Sequence, residues 1–183
     1  PQANPDFYSS FVQADIITGN TSDICIADII DRFIINRIRY YNISEHTTDE
    51  PYNGTGITRL DFHTRAFLKI QDGCDRFCSY CIIPYSRGRS RSRELPQIKE
   101  EMKRLAKAGY KEIVLVGIDL SDYGKGTPYN LADAVLAAED IEGIRRIRLG
   151  SLDPDRMTGE ILSKLTGSKK LCHHFHISLQ SGS

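Results

Sequence analysis

"RAFLKIQDGCDRFCSYC" (65–81) begins with alternating apolar positions and then breaks into a polar loop that carries three cysteines. Ala66, Leu68 and Ile70 recur with the period of two that predicts a strand. Cys74, Cys78 and Cys81 follow in the spacing C-x3-C-x2-C. Thiolates bind soft or borderline metals, chiefly zinc and iron–sulfur clusters. Both usually take four protein ligands, and the nearest other cysteine is far off in the chain, so the set of three needs an explanation.

Downstream of this loop the rhythm is regular. "LPQIKEEMKRLAKAG" (95–109) places Pro96 in a first helical turn, Ile98, Met102, Leu105 and Ala106 on one face, and Gly109 where a helix C′ residue belongs. "KEIVLVG" (111–117) is a short, all-apolar strand of the kind buried inside a parallel sheet. "NLADAVLAAED" (130–140) reads as a helix and "RRIRLGS" (145–151) as a strand. "RMTGEILSKLTG" (156–167) and "HFHISLQ" (174–180) repeat the pair. Strands alternating with helices predict βαβ units and a parallel sheet. A complete (β/α)₈ barrel needs roughly 250 residues, so residues 66–183 would supply about half of one, or else a single open sheet. Each strand is followed by polar or glycine-rich residues: "DGC", "GIDLSDYG", "GSLDP" and "QSGS". Ligands of parallel α/β folds bind at these C-terminal strand ends. Any one such loop is equally an ordinary turn, but all four together favour a barrel-type site, because the cysteines occupy the first.

Upstream, "ADIITGN" (14–20) reads as a strand. "TSDICIADIIDRF" (21–33) reads as a helix, with Thr21 or Ser22 as N-cap and Ile26, Ile29, Ile30 and Phe33 at helical spacing. Cys25 falls inside that helix and reads as a small core residue. "SEHTTDEPYNGTGIT" (44–58) is polar, with one proline and two glycines, and reads as a linker marking a domain boundary. The expected division is 1–43, linker 44–62, and 63–183.

Twenty-four basic and 24 acidic residues cancel, which removes any global electrostatic reason for tight nucleic-acid binding but leaves room for a local patch. No apolar run approaches the 18–20 residues of a membrane span, so no membrane partner is expected. Five cysteines, three of them in one tight cluster, match metal binding in a reducing cytoplasm better than a secreted disulfide framework. The chain starts at Pro1 and stops after an apolar run, and both ends read as cuts in a longer protein.

A structural zinc site would need a fourth ligand, with His63, His173, His174 and His176 as candidates, and would normally present two separated ligand pairs. A run of three cysteines inside eight residues instead suits one cube of iron and sulfide. An electron carrier closes its fourth iron with a fourth cysteine. Three cysteines leave that iron open, and an open iron implies chemistry.

C-x3-C-x-aromatic-C after the first strand of a barrel, here Cys74-Asp75-Arg76-Phe77-Cys78-Ser79-Tyr80-Cys81, resembles the signature of the radical S-adenosylmethionine (SAM) enzymes. The resemblance implies a 4Fe–4S cluster on the three cysteines whose open iron chelates SAM. It also implies reductive cleavage to a 5′-deoxyadenosyl radical that abstracts hydrogen. The flanks narrow the likeness. "HTRAFLKIQDGCDRFCSYCIIPYSRGRSRSR" (63–93), "EIVLVGIDLSDYG" (112–124), "RIRLGSLDP" (146–154) and "HFHISLQSGS" (174–183) resemble the methylthiotransferases. Among these they are most similar to the branch acting on N6-threonylcarbamoyladenosine in tRNA, beside the anticodon. The implied fold is α/β: about four βα units of a radical-SAM barrel, preceded by the C-terminal part of a small α/β domain.

By the same resemblance Tyr80 lies near the adenine of the cofactor, or else is a packing aromatic. Gly117 lies in the glycine-containing loop that meets the methionine amino group, and Ser151 and Gln180 face the ribose or carboxylate, or else are surface-turn residues. No catalytic residue beyond these is assigned. Arg87, Arg89, Arg91 and Arg93 read either as tRNA phosphate contacts or as a solvated basic loop. His174 and His176 share one strand face, which more often means a turn or strand surface than a metal site. The family carries a second cluster on three N-terminal cysteines, and only Cys25 stands upstream of the linker here. "PQANPDFYSSFVQADIITGN" (1–20) resembles the segment after the last of those three. The piece is therefore expected to be inactive alone, whereas its parent would use tRNA, an electron donor such as a flavodoxin or ferredoxin, and a sulfur donor. Two alternatives remain open: a methylthiotransferase acting on isopentenyl-adenosine or a ribosomal protein, and a non-catalytic zinc or iron–sulfur binding module.

Overall fold

The computed structural model describes residues 1–21, 25–54 and 64–182. Contacts divide the chain into two units: Pro1–Glu50 with Gly73–Arg89, and Pro51–Asp72 with Ser90–Ser183.

In the first unit α1 (Pro5–Ser9) precedes β1 (Ile16–Thr18), α2 (Ile26–Asn36) and β2 (Tyr40–Asn42); α3 (Ile83–Arg87) lies on the cysteine segment. β1 and β2 pair in parallel, Ile16 opposite Tyr40 and Thr18 opposite Asn42, with α2 as the crossover. Helix α2 starts later than the sequence suggests. Its N-cap is Cys25, which makes no side-chain capping bond, and Ser22 lies outside the described residues. Cys25 is consequently exposed at a helix end, not a core residue: starting at Ile26 takes it off the helix body altogether. Of the expected apolar face only Ile29 is buried, while Ile26 and Ile30 are exposed. The helix ends at Arg37, which adopts a left-handed conformation.

The second unit is built on β3 (Ala66–Lys69), β4 (Gln71–Asp72), β5 (Arg91–Ser92), α4 (Leu95–Lys107), β6 (Glu112–Val116), α5 (Leu131–Leu136), β7 (Arg146–Leu149), β8 (Ser151–Leu152), α6 (Gly159–Thr166) and β9 (His176–Ile177). β3, β6 and β7 form a parallel sheet in that order, with Ala66 opposite Ile113 and Ile113 opposite Ile147. Leu171 bridges in parallel to Ile147, and β9 pairs in parallel with β8. Along β3, β6, β7 and the Leu171 bridge, successive parallel strands are neighbours in space.

Central β6 is buried on both faces at Ile113, Val114 and Leu115, which is why its sequence shows no alternation. Ile98, Met102 and Leu105 of α4 and Leu131, Ala132, Ala134 and Val135 of α5 complete one core with the sheet. The helix ends follow local chemistry. Pro96 sits in the first turn of α4, and Gly109 follows its last residue with φ +95°. Asn130 and Asp133 form a capping box on α5, the Asn130 side chain accepting from Ala132 N at 3.0 Å and Asp133 accepting from Asn130 N at 2.8 Å. The expected helix over 130–140 ends at Leu136 and continues as turns. The last expected strand is confined to His176–Ile177, the two residues that pair with β8.

At the opposite, N-terminal ends of the strands, Glu112 gathers three arginines: Arg146 at 2.7 Å, Arg148 at 3.2 Å and Arg65 at 3.6 Å. Burial alone would raise its pKa, but the hydrogen bonds from Arg146 and Arg148 outweigh that and hold the carboxyl below its ordinary range. A depressed folded-state pKa stabilises above the ordinary glutamate value, about 4.3, and that contribution is lost as pH falls through the folded value. Glu112→Gln should therefore lower the thermal midpoint at pH 7 by an amount equivalent to about 1 kcal/mol, since the arginines are partly solvated. The wild-type and variant midpoints should converge once pH drops below the depressed value. An equal gap at every pH would contradict this.

Candidate functional site

Residues 73–90 run between β4 and β5, whose short antiparallel ladder pairs Gln71 with Ser92 and Asp72 with Arg91. Within this excursion the backbone closes on itself. Cys74 N donates to Gly88 O at 3.1 Å. Gly73 and Gly88 both have positive φ, +71° and +75°, and a Cβ on Gly73 would collide with the carbonyl of Arg89. Only glycine allows this approach. Beyond the closure, Cys81 N donates to Cys78 O at 2.9 Å, a turn that spaces those two cysteines, and Phe77 takes a left-handed φ of +48°. Phe77 is edge-on to Tyr85, with centroids 5.6 Å apart, and lies under the Arg89 guanidinium at 4.9 Å.

None of the three cysteines is in a disulfide, and all are partly accessible on one closed loop. Cys74 Sγ accepts a hydrogen bond from Arg76 N at 3.5 Å. Among the described residues no three His, Cys, Asp or Glu side chains gather at one point as a single-ion site requires. In donor chemistry the set fits an iron–sulfur cluster, which takes cysteine thiolates as its ligands. His63 lies outside the described residues, and His173, His174 and His176 are exposed near β9.

The other expected positions fall as follows. Tyr80 is 75% exposed and shares the cysteine loop in the first unit. Gly117, Ser151 and Gln180 belong to the second unit. Gly117 is confined by a neighbour: a Cβ there would lie 2.8 Å from Gln71 Oε1 and 2.9 Å from Gln71 Cβ. Ser151 Oγ is hydrogen-bonded to Ser178 Oγ at 2.9 Å, and Gln180 lies past the end of β9 with φ +63°. The basic run divides. Arg93 is only 7% exposed, and its Nη2 pairs with buried Glu101 at 2.5 Å, so it stabilises α4 and does not face solvent. Arg91 pairs with Asp72 at 3.4 Å, Arg89 pairs with Asp75 at 3.4 Å, and Arg87 is exposed.

Gln71 has no counterpart in the sequence reading. Fully buried, it accepts from Asp119 N at 2.8 Å through Oε1 and donates through Nε2 to Asp72 O at 3.0 Å and Ser90 Oγ at 3.1 Å. It fixes the loop after β6 to the strand end that leads into the cysteines. Its only sequence signal is a polar residue breaking the apolar alternation at the end of a strand.

This architecture places three thiols after the first of several consecutive parallel strands, and the comparisons agree with it. The Radical SAM superfamily matches residues 68–183, and the chain belongs to that superfamily. Along its whole length it is 36% identical to the threonylcarbamoyladenosine tRNA methylthiotransferase MtaB of Aquifex aeolicus and 35% identical to that of Bacillus subtilis, covering 44% and 41% of those proteins. Over 66% of the chain it is 43% identical to the tRNA-2-methylthio-N(6)-dimethylallyladenosine synthase of Clostridium tetani, covering 27% of that protein. The chain thus spans less than half the length of these relatives. The radical SAM methyltransferase TsrM of Kitasatospora setae superposes with a TM-score of 0.50 at 21% identity, covering 62% of this chain and 22% of that one, a likeness of fold.

Replacing Gln71 by leucine leaves the buried N–H of Asp119 without its acceptor, a loss of about 1–3 kcal/mol. The thermal midpoint should fall accordingly, and amide exchange at Asp119 should accelerate. Unchanged exchange at Asp119 would show that Gln71 does not hold this loop.

Proposed function

We propose that the chain is part of a radical SAM methylthiotransferase acting on N6-threonylcarbamoyladenosine of tRNA, with Cys74, Cys78 and Cys81 as the ligands of a 4Fe–4S cluster. The observation that carries this reading is the closed loop that holds the three cysteines and follows parallel strand β3 by way of β4. When bound, the cluster supplies the electron that breaks the sulfonium bond of SAM. The residues of the chain do the positioning. The Gly73–Gly88 closure holds Cys74 at the loop base, the Cys78–Cys81 turn spaces the other two thiols, and Gln71 fixes the Gly117–Asp119 loop.

The consecutive order of β3, β6 and β7, continued by the Leu171 bridge, supports a segment of a (β/α) barrel wall more than a doubly wound sheet. Residues 1–43 are read as the remnant of an N-terminal methylthiotransferase domain, 44–62 as linker, and 63–183 as the barrel portion. Tyr80, Gly117, Ser151 and Gln180 are assigned to SAM. Arg87 and Arg89 are assigned to tRNA phosphate, a role for which the internal pairings of Arg91 and Arg93 suit them less. The parent protein would carry a second cluster and draw on a separate electron donor and sulfur donor in the cytoplasm. No helix among the described residues is long and apolar enough to cross a membrane. The threonylcarbamoyladenosine branch is proposed on the likeness of the cysteine loop and its flanks, since relatives of both tRNA branches align along nearly the whole chain. The modified-nucleoside profile of a strain lacking the parent gene separates these: loss of methylthio-threonylcarbamoyladenosine alone is the expected result.

Anaerobic reconstitution should load about four irons and four sulfides per chain. The electron paramagnetic resonance spectrum of the reduced protein should change on adding SAM. Alanine at Cys74, Cys78 or Cys81 should abolish loading, whereas Cys25→Ala and Cys172→Ala should not. One zinc with no inorganic sulfide would overturn the proposal in favour of a zinc module.

A further inference from the structure

His46 lies in the stretch that reads as linker, yet it is among the most constrained side chains of the first unit. Its Nδ1 is 2.6 Å from Glu50 Oε2, and both side chains are only 9% exposed. Its Nε2 is 3.1 Å from Asn20 Oδ1 and 3.2 Å from the carbonyl of Ser86. The Asn20 amide is oriented by its own Nδ2, which donates to Ser86 O at 2.5 Å, so its oxygen is the atom that meets the ring. Nε2 therefore faces two acceptors, and Nδ1 meets the Glu50 carboxyl. The flanks of this arrangement are tied as well. Gln2 accepts from Asn20 N at 3.1 Å and donates to Ser44 O at 2.6 Å.

The ring also packs on Gly88: a Cβ there would lie 2.8 Å from His46 Cγ and 2.9 Å from Nδ1. The same Gly88 accepts the N–H of Cys74. A single peptide unit thus separates the imidazole from the backbone of the first cysteine, and the Ser86 carbonyl it grips lies two residues earlier in the chain. We propose that His46, oriented by Glu50 and Asn20, is a positioning residue for the cysteine loop. It fixes Ser86 and Gly88 and thereby sets how Cys74 presents its thiolate to the cluster. The inference rests on the assignment of the three cysteines as cluster ligands. It adds a residue from the expected linker to the machinery of that site, and it explains why position 88 must lack a side chain.

The test compares the reconstituted chain with His46→Ala, His46→Gln and Asn20→Ala in three readouts: iron and sulfide content, the rate of iron loss to a chelator, and the g-values of the reduced cluster with and without SAM. Ile147→Ala, which opens a core cavity in the other unit, is the control for general destabilisation. His46→Ala should load iron and sulfide within twofold of wild type, lose iron at least tenfold faster and shift the g-values. His46→Gln, which retains an N–H for the Ser86 carbonyl, should recover most of both effects. Ile147→Ala should lower the thermal midpoint without moving the g-values. Wild-type chelation rates and spectra in His46→Ala would overturn the proposal while leaving the cluster assignment intact. Should His46→Ala fail to fold by circular dichroism, Asn20→Ala decides by the same readouts, and wild-type behaviour there overturns the proposal. A wild-type chain that loads no cluster removes the cysteine assignment first, and the role of His46 with it.

Discussion

The hydrogen bond from Cys74 N to Gly88 O closes the loop on which the three thiols depend. Gly73 runs so close to the Gly88–Arg89 backbone that it has no room for a Cβ, the His46 ring covers Gly88, and both glycines adopt a positive φ that side-chain-bearing residues avoid. A loop of this length would otherwise sample many arrangements of its cysteines, each fixed residue costing on the order of 1–2 kcal/mol of conformational entropy. Closing the base shortens the stretch of free chain on which the cysteines lie. The left-handed Phe77, wedged between Tyr85 and Arg89, restricts the same stretch from its middle.

In the second unit the division of labour between the two ends of the sheet is visible in the charges. The N-terminal ends carry Glu112 with its arginines, a network directed at stability. The C-terminal ends carry buried Gln71 and Asp119 and half-buried Gly117, mutually fitted, where parallel folds place their ligands. Gly117 illustrates how one residue type answers two questions. Family likeness assigns it to cofactor contact, while its packing against Gln71 already requires a glycine. The arginine run shows the reverse. Four similar residues in the sequence serve different ends, one buried against Glu101, two paired with nearby aspartates and one exposed.

Superfamily membership rests on the match over residues 68–183, and the identities to tRNA methylthiotransferases extend across the whole chain. Those relatives are more than twice as long as this chain.

The sequence alone determined what depends on local chemistry. The alternation of Ala66, Leu68 and Ile70, the apolar run of β6, Pro96 and Gly109 bounding α4, and the three-cysteine spacing are properties of adjacent residues, and each was legible at that level. It misled where a residue's neighbours lie far off in the chain. Cys25 and Ile30 resemble core residues in a helical pattern, but burial is decided by what covers a face, and there little does. Only the tertiary structure decided that Gln71 anchors Asp119 across 48 residues, that Arg93 is buried, and that a histidine of the presumed linker grips Ser86 forty residues away. Such contacts join polar groups whose partners share no period or spacing with them. Their energy comes from exclusion of water around a satisfied hydrogen bond, a condition that exists only once the chain has folded.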